Sequence, residues 1–586
     1  MKFPTLTLAK ALLASSSIST VFDQTNNQLA LEHVSPSSLE TSFQESCPQV
    51  VPIPPQNANL AHFKTPEFRN WSLAVLQSAV QVPSESYDDL GAVGIDPRWN
   101  IFYDLENALR KSFPKVHQTL AFERINTHGL LYTWNGTDPS LKPTIFMAHQ
   151  DVVPVLNDSL GLWTYPPYSA HFDGKFIWGR GTSDDKGSLV AVLEAVETLL
   201  NQGIKAPRRT IILSFGYDEE ISGSRGAGHI SKHLLKRYGP NSIHSIVDEG
   251  GSGVVEQQGV KLALPGVTEK GMYDALVVLK TPGGHSSLPP DHTAIGIIGE
   301  LASLMESRPF SPALNTHSPI YKFLQCTAAY SQEMAEDLRQ AIQKCATDEK
   351  AMDTVFKVMG RLRATKYMIQ TSQAIDIVAG GLKINALPEK VELMANYRID
   401  LQSNVDETRQ KVVEDVRQIA EKYGLGLSLN KTLDDGSFEH EVLLEGSVYE
   451  PSDTLTNGYF EISDYGSYTK VAPIAPTFDS EAWDTFSGTI RHVFGTFAGP
   501  VIDPTKKHQV FDGEPKEPQN IVVSPALMTA NTDTKHYWDL TDNIYRFWPY
   551  RVLDTQVSHI HTVDERILLD VHIEAVAFYY SYILNL

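Results

Sequence analysis

Cysteine is scarce in this chain, which has 3 cysteines among 586 residues. That number is too small for a disulfide framework, and no CxxC spacing indicates a structural zinc site. Cys326 and Cys345 lie close enough in the sequence to pair in an oxidising compartment, which would leave Cys47 unpaired. We therefore expect at most one disulfide.

Basic residues are also few: 49 Lys and Arg stand against 70 Asp and Glu, which gives a formal net charge of −21 and a pI of about 5.3. A surface that binds nucleic-acid phosphates needs clustered Lys and Arg, and the sequence contains no such block. The composition therefore argues against a nucleic-acid partner.

Long apolar runs are absent beyond the N-terminus, since no segment approaches the roughly 18–20 apolar residues of a membrane span. Residues 1–20 (MKFPTLTLAKALLASSSIST) are similar to a secretory signal peptide or signal anchor, although Lys10 interrupts the apolar stretch and a disordered leader is the alternative. Glycosylation sequons, which support secretion mildly, occur at Asn70, Asn135, Asn157 and Asn430.

The chain is long enough for two or more domains. Residues 21–60 are rich in Ser, Gln, Asn and Pro and indicate a flexible lead-in. In residues 61–269, apolar strand-like runs at 144–149, 210–215 and 245–247 alternate with a helical pattern from Gly187 to Leu200. This alternation predicts an α/β domain with a parallel sheet.

The pattern changes near residue 270. Strand-like segments at 273–280, 374–378 and 391–398 flank a charged helical stretch near 330–365, and a further helix is predicted from Asp406 to Tyr423. We expect a smaller α+β domain inserted over residues 270–445, with residues 446–586 completing the α/β domain.

Candidate metal ligands fall at strand ends and loops, where an open α/β sheet places its site. Each alone has an ordinary structural explanation, such as helix capping or a surface turn. Together, three carboxylates and two imidazoles suit a pair of zinc ions. The five candidates are His149, Asp184, Glu220, Asp248 and His561.

Two further acids have candidate catalytic roles beside these ligands. Asp151 lies two residues beyond His149, so on extended chain it faces the same side and can hold the second ring nitrogen of the imidazole. If Glu220 binds a metal, the adjacent Glu219 remains available as a general base.

The motifs HQD, GRGTSDDKG, YDEEISGSRGA, DEGG, GGHSS, NALP and HTVDE occur in this order. The sequence thereby resembles the co-catalytic di-zinc peptidase family of aminoacylase and carnosinase over about residues 60–586. Within that family it is most similar to the fungal vacuolar carboxypeptidase S, a Gly-X carboxypeptidase, including the late segment NTDTKHY. The resemblance implies two Zn²⁺ ions and a di-zinc aminopeptidase/carboxypeptidase-like catalytic domain with an inserted lid of the type that forms dimers.

The resemblance also implies the arrangement of the ligands. Asp184 would bridge the two zinc ions, with His149 and Asp248 completing one shell and Glu220 and His561 the other.

Two positions have a neighbouring alternative. Asp248 is favoured over Glu249, although family members differ here, and the motif HTVDE selects His561 over His559.

The remaining roles concern the substrate. By resemblance, Glu219 takes a proton from the attacking water and returns it to the leaving amine. His285 polarises the scissile carbonyl, in some relatives across a dimer. Asn385 and Arg398 hold the substrate carboxylate, for which an Arg fork is well suited.

The resulting expectation is a metallo-carboxypeptidase that hydrolyses the last peptide bond of small Gly-X peptides. Its expected location is a vacuolar or lysosome-like lumen, or the cell exterior, and a homodimer through the lid is a possible assembly. The first alternative is an N-acyl-amino-acid hydrolase of the aminoacylase type. The second is a catalytically inactive binding protein on the same fold.

Overall fold

The computed structural model describes residues 45–433, 436–445, 458–497, 501–502, 510–511, 519–552 and 559–586. The predicted signal segment and the lead-in as far as residue 44 lie outside these ranges. The chain divides into two compact units. Unit 1 comprises the described residues up to Thr268 together with Thr316–Ala364 and Pro473–Leu586, and unit 2 comprises Glu269–Asn315 and Thr365–Ala472.

Unit 1 is built on an eight-stranded sheet. In spatial order its strands are Ala121–Ile125, Gly129–Trp134, Ile211–Gly216, Thr144–His149, Ser245–Asp248, Ile544–Arg546, Gly266–Glu269 and Ala526–Met528.

The four central strands of this sheet, from Ile211–Gly216 to Ile544–Arg546, run parallel to one another. All four are buried along their whole length, and most of their side chains are apolar. Parallel strands bring their carboxyl ends to one edge of a sheet. His149, Gly216 and Asp248 end their strands at that edge, which confirms the predicted α/β class.

Helices cover this sheet, and one of them is buried all round. The helix Lys186–Asn201 is buried from Lys186 to Leu200; most of its side chains are apolar, and Glu194 and Glu197 are buried among them. It packs against the helices Pro66–Val80 and Leu569–Asn585 and against the strand Thr144–His149. This fixes the N-terminal end of the helix, next to Asp184, relative to the sheet.

The other helices of unit 1 are Ile101–Ser112, Pro114–Thr119, Ala227–Tyr238, Pro319–Tyr330, Glu336–Lys344, Glu349–Met359 and Glu481–Thr496. Short 3₁₀ turns occur at Leu60–Lys64, Pro97–Asn100, Asn157–Leu162, Glu219–Ile221 and Asp533–His536. Across the described part of the chain, no helix combines the length and apolar character required to cross a membrane.

Three small sheets complete the strands of unit 1. They pair Ile521–Val523 with Val260–Ala263 and Val254–Gln257, Arg566–Leu568 with Phe176–Trp178 and His171–Phe172, and Val501–Ile502 with Val510–Phe511.

Unit 2 contains a six-stranded sheet and a short two-stranded ribbon. The sheet has the spatial order Ser372–Gly380, Lys390–Ile399, Gly271–Lys280, Tyr459–Asp464, Gly426–Thr432 and Phe438–Leu444, and the ribbon pairs Gly284–His285 with Ala386–Leu387.

Two helices, Ala294–Ser307 and Val405–Tyr423, pack together on one face of the six-stranded sheet. The second helix matches the one predicted from Asp406. It begins where the Asn404 side chain accepts a hydrogen bond from the Glu407 N–H, and it ends at Gly424, whose φ of 64° is left-handed. The short helix Arg363–Lys366 contains the point in the sequence, after Ala364, where the chain passes from unit 1 to unit 2.

Unit 2 differs in extent from the insertion expected over residues 270–445. Residues Thr316–Ala364 belong to unit 1, and unit 2 continues to Ala472 so that it includes the strand Tyr459–Asp464. The helix Pro319–Tyr330 packs against the strand Ala526–Met528 of unit 1. That contact joins segments distant in sequence, which no local pattern reveals.

The only disulfide among the described residues joins Cys47 to Cys326, with a Cα–Cα distance of 5.0 Å. The expected Cys326–Cys345 pairing is therefore wrong, and Cys345 is a buried free thiol. The disulfide connects the segment before the first helix of unit 1 to the helix Pro319–Tyr330. It anchors that helix to unit 1 despite its position between the two parts of unit 2.

We predict that Cys47→Ala lowers the melting temperature more than the matched control Cys345→Ala. Loss of a disulfide that closes a long loop costs about 2–4 kcal/mol of stability, whereas Cys345 carries no crosslink. Differential scanning calorimetry measures the difference, and peptide mapping without reductant identifies the crosslinked peptides. A Cys326–Cys345 crosslink in that map would contradict the assignment.

Candidate metal centre

His149 is the last residue of its strand, and its side chain is 1% exposed. Its Nδ1 lies 2.9 Å from the main-chain oxygen of Asp151, a group that can only accept. Nδ1 therefore carries the proton in the neutral ring, and the lone pair of Nε2 faces into the site. That nitrogen lies 3.0 Å from Oδ1 of Asp184 and 3.4 Å from Oε1 of Glu249.

Asp184 presents its two carboxylate oxygens to two different imidazoles. Oδ1 lies 3.0 Å from Nε2 of His149, and Oδ2 lies 2.9 Å from Nε2 of His561. The same nitrogen of His561 lies 3.1 Å from Oε1 of Glu220. The carboxylate thus stands between two groups of ligand atoms, as a residue shared by two cations would.

The turn Glu219–Ile221 follows the strand Ile211–Gly216 and carries two of the predicted site residues. The Asp151 carboxylate accepts the main-chain N–H groups of Glu219 and Glu220, each at 3.1 Å. It also accepts the Ser86 hydroxyl at 2.7 Å. Asp151 therefore supports the turn as well as the His149 ring, whose Nδ1 is 3.3 Å from its Oδ1.

The described residues contain two groups of side chains that could each hold a metal ion, and they share His149. One group is His149 with Glu219 and Glu249, and the other is His149 with Asp184 and Glu220. Within each group the ligand atoms lie within 4.8 Å of one another. Oxygen and imidazole donors at this spacing fit a divalent metal such as zinc.

The two adjacent acids Asp248 and Glu249 have different surroundings in the structure. Glu249 approaches Nε2 of His149, whereas Asp248, the favoured candidate, belongs to neither metal group. Asp248 is still part of its strand, in register with Arg546, and Glu249 is the first residue beyond the strand end. Side chains alternate along a strand, so the two acids point in different directions.

The pKa values of the site reflect this crowding of acids and imidazoles. Burial, with the charge of Asp184, raises the pKa of Glu220 to about 7. Burial lowers the pKa of His561, but hydrogen bonds to Asp184 and Glu220 outweigh it and raise this pKa to about 11. Burial and the charge of Glu249 raise the pKa of Glu219 well above its usual value. A divalent cation replaces the protons that such groups otherwise share.

Glu565 is a buried acid that the sequence did not single out. Its Oε1 accepts the main-chain N–H groups of Gly181, Ser183 and Asp184 at 2.9–3.2 Å. Its Oε2 accepts a hydrogen bond of 2.7 Å from Arg180. Glu565 thereby ties the motif HTVDE, which contains His561, to the loop that carries Asp184. An acid at the end of that motif was the available signal.

The predicted substrate residues lie in unit 2. His285 lies in the two-stranded ribbon and Asn385 immediately precedes its other strand, and the Ser286 N–H donates to the Asn385 carbonyl at 3.3 Å. Arg398 lies in the strand Lys390–Ile399, and it alternates with core residues such as Tyr397. Burial lowers the pKa of Arg398.

The His285 ring has a defined hydrogen-bond pattern. Its Nδ1 accepts the Ser287 N–H at 3.1 Å, so the proton of the neutral ring is on Nε2. The side chain is exposed. Nε2 is thus the nitrogen that can donate a hydrogen bond outwards.

Two imidazoles and several carboxylates converge on Asp184 at the carboxyl edge of a parallel sheet, an arrangement typical of a metal-dependent hydrolase. The family model described as peptidase family M20/M25/M40 matches residues 145–585. The chain belongs to this family, which confirms the resemblance seen in the motifs and makes the protein a metal-dependent peptide hydrolase.

Similar proteins cover most of the chain. Carboxypeptidase S of Saccharomyces cerevisiae is 38% identical over 545 residues, which are 92% of this chain and 88% of that protein. An N-fatty-acyl-amino acid synthase/hydrolase of Danio rerio is 28% identical over 529 residues, 89% of this chain and 87% of that protein.

Among solved structures, the M20 family metallo-carboxypeptidase Sso-CP2 from Sulfolobus solfataricus has a TM-score of 0.52 at 16% identity. The match covers 88% of this chain and 98% of that one. This likeness supports the fold, a catalytic α/β domain with a smaller inserted domain.

We predict that Glu249→Gln lowers the metal content of the purified protein more than the matched variant Asp248→Asn. Both changes replace a buried acid with its amide, but it is Glu249 that lies 3.4 Å from Nε2 of His149 and belongs to a candidate metal group. Elemental analysis by mass spectrometry measures the bound metal. Loss of metal from Asp248→Asn with retention in Glu249→Gln would restore Asp248 as the ligand.

Proposed function

We propose that this protein is a two-zinc carboxypeptidase that removes the C-terminal residue of small peptides, including Gly-X dipeptides. The observation that carries the proposal is the position of Asp184, with one oxygen towards His149 and the other towards His561. The similarity to carboxypeptidase S supports the choice of reaction.

The proposed ligands form two sets around Asp184. His149 and Glu249 belong to the first set, and His561 and Glu220 belong to the second. Glu249 replaces Asp248 in this assignment because it is the acid that contacts His149. Zinc ions bound there would polarise the scissile carbonyl and lower the pKa of a shared water from about 15.7 towards neutrality.

Glu219 is the proposed proton carrier. Its N–H is held by Asp151, and its carboxylate lies in the group formed with His149 and Glu249. Burial keeps its pKa high, so it takes up a proton readily. In the proposed reaction it receives the proton of the attacking water and passes it to the leaving amine.

The residues of unit 2 are proposed to bind the substrate. His285 would donate from Nε2 to the oxygen of the scissile carbonyl, an orientation consistent with its Nδ1 accepting from Ser287. Asn385, which immediately precedes the other strand of the ribbon, and Arg398 would hold the terminal carboxylate. A guanidinium group suits a carboxylate because two parallel N–H bonds can form.

The first prediction from this mechanism concerns Glu219. Glu219→Gln removes the proton acceptor without removing a proposed ligand, so we expect kcat to fall by about 10²–10⁴-fold at unchanged metal content. Glu220→Gln serves as the matched control and should lose metal as well as activity. Near-wild-type kcat in Glu219→Gln would contradict the assigned role.

The second candidate function is N-acyl-amino-acid hydrolysis, which the similarity to an N-fatty-acyl-amino acid synthase/hydrolase favours. Both reactions use the same metal ligands and the same grip on the substrate carboxylate. They differ in the acyl side of the scissile bond.

A substrate panel separates these functions. We predict a higher kcat/KM for a blocked Gly-Leu dipeptide than for N-lauroyl-leucine, which carries the same terminal residue. The amidated Gly-Leu control should not be cleaved, because it lacks the carboxylate. The reverse order would favour the acyl hydrolase, and no turnover with bound metal would favour an inactive binding protein.

The proposed compartment is a vacuolar or lysosome-like lumen or the cell exterior. The Cys47–Cys326 disulfide supports it, since disulfides persist in oxidising compartments. Asn70, Asn135 and Asn157 are exposed and fit glycosylation. The Asn430 amide instead donates to Glu461 and accepts from His440, which leaves it poorly placed for a glycan.

A homodimer through unit 2 is part of the proposal. The strand Ser372–Gly380 lies at one edge of the six-stranded sheet, and its last residues are exposed. An edge strand offers unpaired main-chain groups to a second copy.

A further inference from the structure

The segment Asn531–Tyr537 (NTDTKHY) has no role in the mechanism above, although it was part of the family resemblance. It contains the 3₁₀ turn Asp533–His536, which the Thr532 side chain caps by accepting the Thr534 N–H. The Thr534 hydroxyl in turn accepts a hydrogen bond of 3.0 Å from Arg546. The turn is therefore fixed to the central strand Ile544–Arg546 of unit 1.

The side chain of Asp533 lies between the two ends of the loop that carries Glu219 and Glu220. Asp533 is 4% exposed. A Cβ atom built on Gly216, where the loop leaves its strand, would lie 2.5 Å from Oδ2 of Asp533. A Cβ atom on Gly223, where the loop returns, would overlap Oδ1. The loop closes around this carboxyl group only because both positions are glycine.

His536 supports the same loop from the other end of the turn. Its Nε2 donates to the main-chain oxygen of Ser222 at 3.0 Å. Ser222 has a φ of 97°, which a serine adopts only when its surroundings impose it. The contact therefore holds the loop in this shape immediately after the Glu219–Ile221 turn.

Hydrogen bonds from other residues also hold the loop that carries Glu219. The Asp151 carboxylate holds the N–H groups of Glu219 and Glu220 from the sheet side. Inside the loop, the Gly223 N–H donates to the Asp218 carbonyl at 2.6 Å, and the Asp218 carboxylate accepts the N–H groups of Arg225 and Gly226. Asp533 adds a steric contact at both ends of the loop, beside Gly216 and Gly223.

We infer that Asp533 and His536 are positioning residues, which set the position of Glu219 by wedging and bonding the loop from Gly216 to Gly223. The inference rests on the proposed role of Glu219. A displacement of about 1 Å in a catalytic group can cost about 10²-fold in rate. A change at the wedge should therefore affect kcat without affecting KM.

The test uses Gly223→Ala and the matched control Gly239→Ala in the full-length enzyme. Both glycines have positive φ, 66° and 86°, but a Cβ on Gly239 has no neighbour within 4 Å. We expect Gly223→Ala to lower kcat for the blocked Gly-Leu dipeptide at least about tenfold more than Gly239→Ala, at similar KM and metal content. Equal losses in the two variants would overturn the inference.

A double variant distinguishes a wedge from general damage to the fold. In an Asp533→Ala background the space at Gly223 is open, so adding Gly223→Ala should cost no more than adding Gly239→Ala does. If the losses in kcat from Asp533→Ala and Gly223→Ala were independent and additive, the inferred contact between Asp533 and Gly223 would be contradicted. Asp533→Asn, which keeps the shape of the side chain, should retain more activity than Asp533→Ala.

A readout without substrate separates this inference from the proposed reaction. Hydrogen exchange at the amides of Glu219 and Glu220 should be faster in Gly223→Ala and in His536→Ala than in the wild type, and unchanged in Gly239→Ala. The His536 variant removes a single hydrogen bond, so it provides a second test if Gly223→Ala folds poorly. Wild-type exchange in both variants would overturn the inference whatever substrate the enzyme uses.

Discussion

The arrangement of polar groups in unit 1 is constrained by the repulsion among buried carboxylates, which the fold must offset. Acidic side chains converge at the carboxyl edge of the sheet, and burial raises the free energy of each charge. The fold satisfies one set of them with main-chain N–H groups: Asp151, Asp218 and Glu565 each accept two or more such bonds.

A second set of acids has no such main-chain support in the described contacts and faces imidazoles instead. Asp184, Glu220 and Glu249 each lie within 3.4 Å of a histidine nitrogen. Two of the supporting acids bond the backbone of a candidate ligand: Asp151 accepts the N–H of Glu220, and Glu565 accepts the N–H of Asp184. The hydrogen bonds that stabilise these buried carboxylates thus also hold the backbone of the candidate metal centre in place.

Sequence patterns predicted the parts of this arrangement that follow from local rules. A buried parallel strand brings the next polar residue to the sheet edge, so His149 and Glu220 could be placed from the strands before them. The distinction between Asp248 and Glu249 could not be made this way, because it depends on which residue is the last in the strand. A shift of one residue reverses the direction of the side chain.

The other features that the sequence did not predict depend on contacts between segments that are distant in the chain. Asp533 reaches Gly216 and Gly223 from a part of the chain far away in sequence, and only the glycines suggest that something approaches. The partner of Cys47 was equally hidden, since connectivity is set by the fold and not by spacing. The extent of unit 2 also depends on packing between distant segments, such as that of the helix Pro319–Tyr330 against the strand Ala526–Met528.

The Cys47–Cys326 disulfide keeps the protein in one piece when another peptidase cuts its backbone between these two cysteines. It encloses most of the first part of unit 1 and the stretch Glu269–Asn315 within one covalent loop. A single cut anywhere in that loop leaves both fragments attached to each other. The nicked chain keeps the proposed ligands His149 and His561 in one covalently linked molecule, so backbone cleavage in the loop does not by itself release either part.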